Sequence, residues 1–309
     1  MLSIIIPTYN AEKSLQKCLE CLKNQTCNDF EVILVDDGSI DKSANVYKPY
    51  CLTDPHFKFI RQKNGGCGSA RNTGIKIASG NLISFIDADD WVEPNYVETI
   101  IRNMNGDFLF FSCTHHNKKN DITYHKNEDH KNTTFFDILL KQFDYWDYAF
   151  TWNKCFKKDI ILSNNLSFDK DLKHAEDELF ILEYLMHTNK ISTISDVIYH
   201  YQVGIGISQV YATIEEVKKI NHRIFQLSDR YKDQNISAYL KIRGINYWYN
   251  AYTFKRCNLF YSYNQVRKDL KKSENKYLRK FLSDYSYNRK ITLNKQSKRF
   301  EKIILSDNS

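Results

Sequence analysis

The 309-residue sequence lacks any apolar run that approaches the ~20 residues of a membrane-spanning helix. Its apolar start, residues 2–7, is followed by Lys13 too soon for a signal peptide. We therefore expect a cytoplasmic chain, either free or peripheral on the inner face of the cell membrane. The eight cysteines should be reduced in that compartment, which argues against a secreted disulfide scaffold and a membrane channel.

Several glycine and cysteine motifs are also missing. No G-x-G-x-x-G follows the first predicted strand, which argues against a dinucleotide site, and no G-x-x-x-x-G-K-[ST] loop is present. Residues 11–25 contain no glycine, whereas a nucleotidyltransferase would need a glycine-rich triphosphate loop near there. Cys18 and Cys21 form a single C-x-x-C at core spacing on a predicted helix, so we favour core packing over zinc or redox chemistry.

Charge is unevenly distributed along the chain, whose formal net charge is +7. Residues 210–309 contain 22 Lys and Arg against 9 Asp and Glu, a net of +13, and residues 1–209 have a net of −6. This asymmetry predicts two units with different partners, residues 1–209 and residues 210–309.

Short apolar runs alternate with helix-like segments over the first ~110 residues, which predicts a parallel sheet covered by helices on both faces. The predicted strands are residues 3–6, 31–35, 57–60 and 82–86. Three polar clusters follow strands directly, at residues 7–10, 36–39 and 87–90. Because ligands bind at the carboxyl ends of such strands, we expect these clusters to line one crevice.

Three local predictions complete the pattern. Residues 113–132 should form a polar loop, with His115 and His116 at the surface. A helix that starts near Asp41 should be shortened by Pro49. Helices should dominate from residue 213 onward.

Asp87-Ala88-Asp89 is the sharpest chemical signal. Two carboxylates two residues apart in a turn can face one hard divalent ion, and Mg²⁺ and Mn²⁺ prefer oxygen ligands. An isolated D-x-D is more often a plain turn. Its place after an apolar strand, at the predicted crevice, favours the metal interpretation.

Two further clusters are weaker alone. Asp36-Asp37-Gly38-Ser39 could accept hydrogen bonds from a base or a ribose, or could be a strand-to-helix turn with a helix cap. In Asn64-Gly65-Gly66, glycine lets the backbone approach a ligand, and the Arg71-Asn72 pair that follows includes an arginine, which suits phosphate.

Together these segments resemble the successive motifs of family 2 glycosyltransferases with the GT-A fold. The matching segments are Ile5-Ile6-Pro7-Thr8-Tyr9-Asn10, Val35-Asp36-Asp37-Gly38-Ser39, Asn64-Gly65-Gly66 through Arg71-Asn72, and Phe85-Ile86-Asp87-Ala88-Asp89-Asp90. Later, Trp152-Asn153-Lys154-Cys155-Phe156 resembles W-N-K-L-F, and Glu176-Asp177-Glu178-Leu179-Phe180 resembles E-D-x-x-F. The resemblance implies an α/β GT-A fold, a Rossmann-like mixed sheet flanked by helices, with a helical C-terminal region.

The resemblance also implies roles for the matching residues. Asp177 would be the general base, with Glu176 beside it, and Asp89 with Asp87 would bind Mn²⁺ or Mg²⁺. Arg71 would approach the sugar or the diphosphate. The set that would hold a nucleotide sugar, usually a UDP-sugar, is Pro7, Thr8, Tyr9, Asn10, Asp36, Asp37, Gly65, Gly66, Arg71, Asn72, Asp87, Ala88, Lys154 and Ser208.

One position departs from the family's pattern. The family usually has an arginine soon after its tyrosine-rich strand, and Gln202 stands there instead, so this position supplies no cation to a leaving diphosphate. We interpret His200 as a strand histidine rather than a phosphate contact. Without the upstream motifs, Glu176-Asp177-Glu178 would simply be an acidic first helical turn.

Residues 239–263 interleave tyrosine, tryptophan and phenylalanine with lysine and arginine, and more lysines follow to residue 280. Such aromatic side chains suit a membrane interface, and each basic residue near anionic lipid adds about 1 kcal/mol. We favour an anionic membrane surface as the partner of this segment. A plain helical subdomain is the second interpretation, and nucleic acid is the least favoured.

The sequence thus predicts a metal-dependent inverting glycosyltransferase that takes glucose, galactose or an N-acetylhexosamine from a UDP-sugar. The resemblance implies a saccharide acceptor on a polyprenyl diphosphate, as in bacterial surface polysaccharide or lipid-linked oligosaccharide synthesis. Length and an Asn-, Lys-, Tyr- and Ile-rich composition also resemble glucosyltransferases that branch bacterial N-glycan precursors. A noncatalytic nucleotide-sugar-binding or scaffold protein and a nucleotidyltransferase are the alternatives.

Overall fold

The computed structural model describes residues 1–116, 121–124, 130–133, 149–203, 213–232, 236–237 and 240. The chain divides into two compact units, Met1–Ala212 and Thr213–Ser309. The predicted active-site residues all lie in the first unit, and Ser208 among them falls outside the described residues.

The first unit is built on a mixed sheet of ten described strands. They are β1 (Leu2–Thr8), β2 (Phe30–Asp36), β3 (Phe57–Arg61), β4 (Leu82–Phe85), β5 (Trp91–Val92), β6 (Phe108–His116), β7 (Asp121–Tyr124), β8 (His130–Thr133), β9 (Lys154–Lys157) and β10 (Ile191–Gln202). Eight strands follow the order β3-β2-β1-β4-β9-β6-β10-β5, while β7 pairs with β6 and β8 pairs with β10.

Six described helices accompany this sheet, and one lies in the second unit. They are α1 (Leu15–Lys23), α2 (Ser43–Thr53), α3 (Cys67–Ile77), α4 (Tyr96–Asn103), α5 (Lys158–Ser163), α6 (Glu176–Leu185) and, in the second unit, α7 (Ile214–Arg230). None of the described helices is both long and apolar enough to cross a bilayer.

The first half of the sheet is parallel, as the alternating pattern predicts. Strand β1 pairs in parallel with β2 and with β4, and β2 pairs in parallel with β3. Every residue of β1 and β2 is buried, because helices cover both faces and leave no polar face for alternation. Parallel strands bring their carboxyl ends to one edge, which is where the polar clusters follow.

The second half of the sheet is where antiparallel pairing enters. Strand β9 is inserted between β4 and β6 and is antiparallel to both. Strand β10 is parallel to β6 but antiparallel to the two-residue β5. The mixed sheet implied by the family resemblance is therefore present.

Helix α1 packs its apolar stripe into the core. Its buried residues are Leu15, Cys18, Leu19 and Leu22. Burial raises the pKa of the Cys18 thiol well above its usual range and that of Cys21 to about 11, so both stay protonated near neutral pH. Core packing is therefore the correct interpretation of this C-x-x-C.

Two local predictions are wrong. The segment expected to start a polar loop at residue 113 continues as β6 to His116, because its polar residues pair with β7 and β10 on both sides. Helix α2 also continues through Pro49 to Thr53. A proline inside a helix removes one backbone donor, and this helix tolerates that loss.

In the second unit, α7 starts with Thr213, whose hydroxyl accepts a hydrogen bond from the Glu216 amide. The buried residues of α7 recur at helical spacing and include Val217, Ile220, Ile224 and Leu227. The aromatic and basic segment of residues 239–280 lies outside the described residues, apart from Leu240.

Candidate active site

The acidic turn after β4 is fastened to strand β10. The Asp87 amide donates to the Tyr199 hydroxyl at 3.3 Å, and that hydroxyl in turn donates to the Asp90 carboxylate. The other Asp90 oxygen accepts from the Gln202 amide at 2.8 Å. Asp90 is thereby enclosed by protein donors, and the turn presents Asp87 and Asp89 instead.

Arg71 joins this turn to the start of helix α6. Its guanidinium is 3% exposed and lies 3.1 Å from Asp87 Oδ1, 2.5 Å from Asp177 Oδ1 and 3.5 Å from Glu176 Oε1. One buried cation thus faces three carboxylates. Two of its partners come from a distant part of the chain, and Asp177 is 106 residues from Arg71. The predicted contact of Arg71 with the sugar or diphosphate stays a prediction, since in this structure its charge is directed at acids.

Helices α3 and α6 approach closely enough for this contact because of a small residue. A Cβ added to Gly68 would lie 3.0 Å from the Phe168 Cβ and 3.4 Å from the Glu176 Cγ. The backbone at Ala175, just before α6, is left-handed with φ 61°. This conformation is uncommon for alanine, and it immediately precedes the turn of α6 that bears Glu176 and Asp177.

The carboxyl group of Asp177 holds its proton unusually strongly. Burial raises its pKa to about 7, against the opposing pull of Arg71, and the negative charge of Glu176 adds to the rise. The Thr151 hydroxyl donates to the second carboxyl oxygen at 3.4 Å. A carboxyl group that exchanges a proton near neutral pH suits general base catalysis.

Asp89 is a largely buried carboxylate in the same turn, and its negative charge is not balanced by any described side chain. Burial, followed by the charge of Asp87, raises its pKa to about 7. Within the described part of the chain no side chain pairs with its carboxylate, and no cluster of three or more His, Cys, Asp or Glu could hold a metal. Two carboxylates fit Mg²⁺ or Mn²⁺, ions that keep most coordination positions for phosphate oxygens and water.

The loops after β1 and β2 are locked to one another. The Asn10 amide donates to Ser39 Oγ at 3.1 Å, and Asn10 Oδ1 accepts from the Ile40 amide at 2.9 Å. Asn10 adopts a left-handed φ of 51°, which asparagine tolerates better than most residues. Tyr9 beside it is 50% exposed, so its ring is available to a ligand, whereas Pro7 and Thr8 are buried.

Asp36 and Asp37 hold the loops after β2 and β3 in place. Asp36 accepts from the Ser39 amide at 2.8 Å and from the Tyr47 hydroxyl at 2.9 Å. Asp37 accepts from the Gly65 and Gly66 amides at 2.9 and 2.8 Å, so the glycine loop wraps around one carboxylate. Both side chains organise the loops at this side of the crevice, and their contact with a nucleoside stays a prediction.

Asn72 and Lys154, which are predicted to bind the nucleotide sugar, form hydrogen bonds within the protein. The Asn72 amide group exchanges two hydrogen bonds with the Phe168 backbone, at 2.8 and 2.9 Å. Lys154 is 2% exposed, and its ammonium group donates to the Phe150 carbonyl and to Asn153 Oδ1. Ala88 is partly exposed within the acidic turn.

Gln202 and His200, at the end of β10, bond to residues on or beside neighbouring strands. The Gln202 side chain donates to the His116 carbonyl at 3.2 Å. His200 bonds to Glu93 at 2.7 Å and to His116 at 2.9 Å and stacks on Trp91. These contacts fit the interpretation of His200 as a strand histidine.

Sequence reasoning missed two residues that shape the site. Thr151 precedes the W-N-K segment by one residue, and Tyr199 lies in the predicted tyrosine-rich strand. Adjacency to those motifs was the available signal. Their hydrogen bonds to Asp177 and Asp90 depend on strand register, which the motifs do not specify.

Comparison with known proteins decides the family. A family model described as Glycosyl transferase family 2 matches residues 3–159, about half of the chain. The chain belongs to glycosyl transferase family 2. The family predicted from the motifs is therefore confirmed, and the match spans the four N-terminal segments and the W-N-K segment.

Bacterial relatives of this family 2 chain include EpsH of Bacillus subtilis (strain 168), 32% identical over 210 residues. That alignment covers 66% of this chain and 61% of EpsH. The poly(ribitol-phosphate) beta-N-acetylglucosaminyltransferase TarS of Staphylococcus aureus (strain MW2) is 26% identical over 273 residues, covering 84% of this chain and 45% of TarS. The chain thus spans about three fifths or less of the length of these relatives.

Solved structures agree on the fold. TarS 1–349 of S. aureus in complex with UDP-GlcNAc matches with a TM-score of 0.68 at 24% identity, covering 84% of this chain and 74% of that one. The mannosyltransferase PcManGT of Pyrobaculum calidifontis, in complex with GDP-Man and Mn²⁺, matches with a TM-score of 0.51 at 15% identity, covering 93% and 84%. At these identities the likeness concerns the fold alone, and the predicted α/β GT-A fold is confirmed.

Proposed function

We propose that this family 2 protein is an inverting glycosyltransferase that moves a sugar from a UDP-sugar to a saccharide hydroxyl. The observation that carries the proposal is the buried cluster in which Arg71 holds Asp177 beside Asp87. It joins a carboxyl group that exchanges protons near neutral pH to the turn that bears Asp89. Proton removal and diphosphate binding are thereby adjacent.

Asp177 takes the proton of the attacking hydroxyl. The acceptor oxygen forms a bond to the anomeric carbon while the bond from that carbon to the diphosphate oxygen breaks, and UDP leaves with the electron pair. Attack from the face opposite the diphosphate inverts the anomeric centre. A pKa near 7 lets Asp177 accept the proton and release it to water afterwards.

Asp87 and Asp89 would hold Mg²⁺ or Mn²⁺. The chemistry that such an ion supplies is neutralisation of the charge that develops on the leaving diphosphate. Arg71 has a different task, because its charge balances Asp87 and Asp177 and so keeps both carboxylates in place.

The donor sugar is glucose, galactose or an N-acetylhexosamine. The complex of TarS with UDP-GlcNAc supports a UDP-linked donor. Names of relatives include a poly(ribitol-phosphate) beta-N-acetylglucosaminyltransferase and a poly(ribitol-phosphate) beta-glucosyltransferase. A β-linked product from an α-linked UDP-sugar corresponds to inversion.

The acceptor is a saccharide carried on a polyprenyl diphosphate at the cytoplasmic face of the membrane. Support comes from the net charge of +13 in residues 210–309 and from the aromatic residues of the same segment. Replacing Lys268, Lys271 and Lys272 with glutamate should reduce cosedimentation with anionic vesicles. Binding should weaken with salt, which screens charges over about 8–10 Å. Wild-type protein that ignores these vesicles at low salt would favour an acceptor in solution.

The test of the whole proposal is turnover of nucleotide sugars. Wild-type protein is incubated with Mn²⁺ and each of UDP-glucose, UDP-galactose, UDP-GlcNAc and UDP-GalNAc, and both UDP binding and UDP release are measured. Release from at least one donor, lost in excess chelator, is the expected result. Binding without any release in the presence of extracted lipid-linked oligosaccharides would favour the noncatalytic alternative.

A further inference from the structure

We infer that the two outer rings of a stack of four aromatic side chains, which Thr151 connects to Asp177, bind the sugar ring of the acceptor, an inference that rests on the proposed function. These residues, called the aromatic ladder here, are Phe150, Trp152, Tyr199 and Tyr201. Their role differs from that of the donor motifs, and neither composition nor motif spacing points to it.

Trp152 is the centre of the ladder. Its ring lies nearly parallel to those of Tyr199, Tyr201 and Phe150, at interplanar angles of 15°, 8° and 15° and centroid distances of 4.9, 5.2 and 5.6 Å. Trp152 and Tyr199 are buried, whereas Phe150 and Tyr201 are partly exposed. The buried pair therefore fixes two outer rings that retain accessible surface.

Hydrogen bonds connect the ladder to the proposed base and to the acidic turn after β4. Thr151, between two of its residues, donates to Asp177, and the Tyr199 hydroxyl bonds to Asp90 and accepts from the Asp87 amide. The buried ammonium of Lys154 holds the Phe150 carbonyl and so fixes the outer end. Thr151, the residue after Phe150, thus connects the ladder to the proposed base.

The sheet order places the ladder on the side of the crevice away from the nucleotide. The donor motifs follow β1 and β2, while the ladder belongs to β10 and to the segment entering β9, on the other side of β4. An inverting attack needs the acceptor to arrive opposite the diphosphate, with its hydroxyl within reach of Asp177. The ladder lies in the β9 and β10 half of the sheet, across β4 from the motifs that follow β1 and β2.

Ring stacking suits a saccharide. One face of a pyranose exposes mainly C–H groups, which pack against an aromatic face, while the hydroxyls at the ring edge stay free to react. Parallel rings offer such a flat face, and their stacking on one another limits the conformational entropy lost when a ligand binds.

The experiment measures binding of three β-linked disaccharides, cellobiose, lactose and N,N′-diacetylchitobiose, by saturation-transfer-difference NMR with saturating UDP and Mn²⁺. At least one should bind wild-type protein, with the strongest transfer to ring C–H protons. Phe150→Leu and Tyr201→Leu should each weaken its affinity at least about fivefold. Phe150→Tyr and Tyr201→Phe, which keep the ring, should stay near wild type.

Phe59→Leu is the control, since Phe59 is an exposed aromatic residue on β3 at the far edge of the sheet. Affinity that is unchanged in both Leu variants, or that falls equally in Phe59→Leu, overturns the ladder as an acceptor site. Failure of all three disaccharides to bind wild-type protein overturns it as well. UDP release from donors by water tests the proposed function separately, so either idea can fail alone.

Discussion

The two ends of the sheet bury carboxylates with opposite consequences. At the amino-terminal end, Glu31 accepts from Ser3 Oγ at 2.6 Å, from Lys58 Nζ at 2.7 Å and from the amide of Ser79. Burial alone would raise its pKa, yet these donors outweigh burial and hold the pKa at about 2. At the carboxyl end, Asp89 and Asp177 have pKa values raised to about 7.

The three carboxylates are all largely removed from water. They differ in how many hydrogen-bond donors and cationic groups contact them. Glu31 is satisfied by the fold and stabilises it. Among the described residues no side chain pairs with Asp89, and Asp177 shares one guanidinium with two other acids. Groups left short of partners at the crevice are ready for a substrate proton or a metal. The carboxylate at the amino-terminal end therefore stabilises the fold, whereas those at the carboxyl end are available for proton transfer or metal binding.

The largest expected effect comes from Asp177→Asn. Loss of the general base should lower turnover by at least about 10²-fold, while UDP binding stays within a few fold. Turnover and UDP affinity are measured for the variant and for Asp171→Asn, which removes an exposed carboxylate just ahead of α6. A variant that loses donor binding instead would show that Asp177 is structural and would break the comparison.

Asp89→Asn should move function and stability in opposite directions. It should remove Mn²⁺-supported UDP binding, because a carboxylate ligand is lost. Since the folded pKa of Asp89 is raised from 3.8 to about 7, the ionised group destabilises the metal-free fold above pH 7, and this cost disappears as the pH falls toward 3.8. Unfolding in EDTA at pH 8 should therefore show a gain of roughly 1–3 kcal/mol.

The exposed Asp159→Asn is the control for that gain and should change neither property. Equal stability of wild-type protein and Asp89→Asn at pH 8 would mean that Asp89 is not under electrostatic stress. The contrast between the two ends of the sheet would then rest on Asp177 alone.

Glu31→Gln tests the other end. It should lower the free energy of unfolding by about 2–3 kcal/mol at pH 7, because one pKa unit corresponds to about 1.4 kcal/mol. The folded pKa is lowered from 4.5 to about 2, so this stabilisation is present above pH 4.5 and is lost as the pH falls toward 2. Denaturant unfolding across that range should make wild type and variant converge in acid, with exposed Glu20→Gln as the control.

The donor half of the site was predictable because its signals are local. A buried apolar run, a turn and an amphipathic helix can each be recognised from consecutive residues. The bounds of strands β1 to β4 accordingly lie within one or two residues of the predicted bounds. The polar ends of those strands meet as expected, because parallel pairing fixes which edge they share.

The other half depends on contacts that spacing does not encode. Strand β9 has only four residues, Lys-Cys-Phe-Lys, too short for a periodicity, yet its insertion between β4 and β6 brings Thr151 to Asp177. Strand β6 ends in polar residues that resemble a loop until their pairing is known. Arg71 likewise matched a phosphate-binding expectation, although its acidic partners are 16 to 106 residues away.

The smallest expected effect concerns backbone strain at the carboxyl end. Ala175 adopts φ 61° and ψ 7°, a conformation that costs a residue with a Cβ roughly 1 kcal/mol or more. Glycine relieves that cost but loses more entropy on folding, so Ala175→Gly should stabilise the protein by at most about 1 kcal/mol. Ala44→Gly, inside α2, should destabilise it by about as much. Denaturant midpoints measure both changes, and a loss of stability in both variants would place no strain at the start of α6.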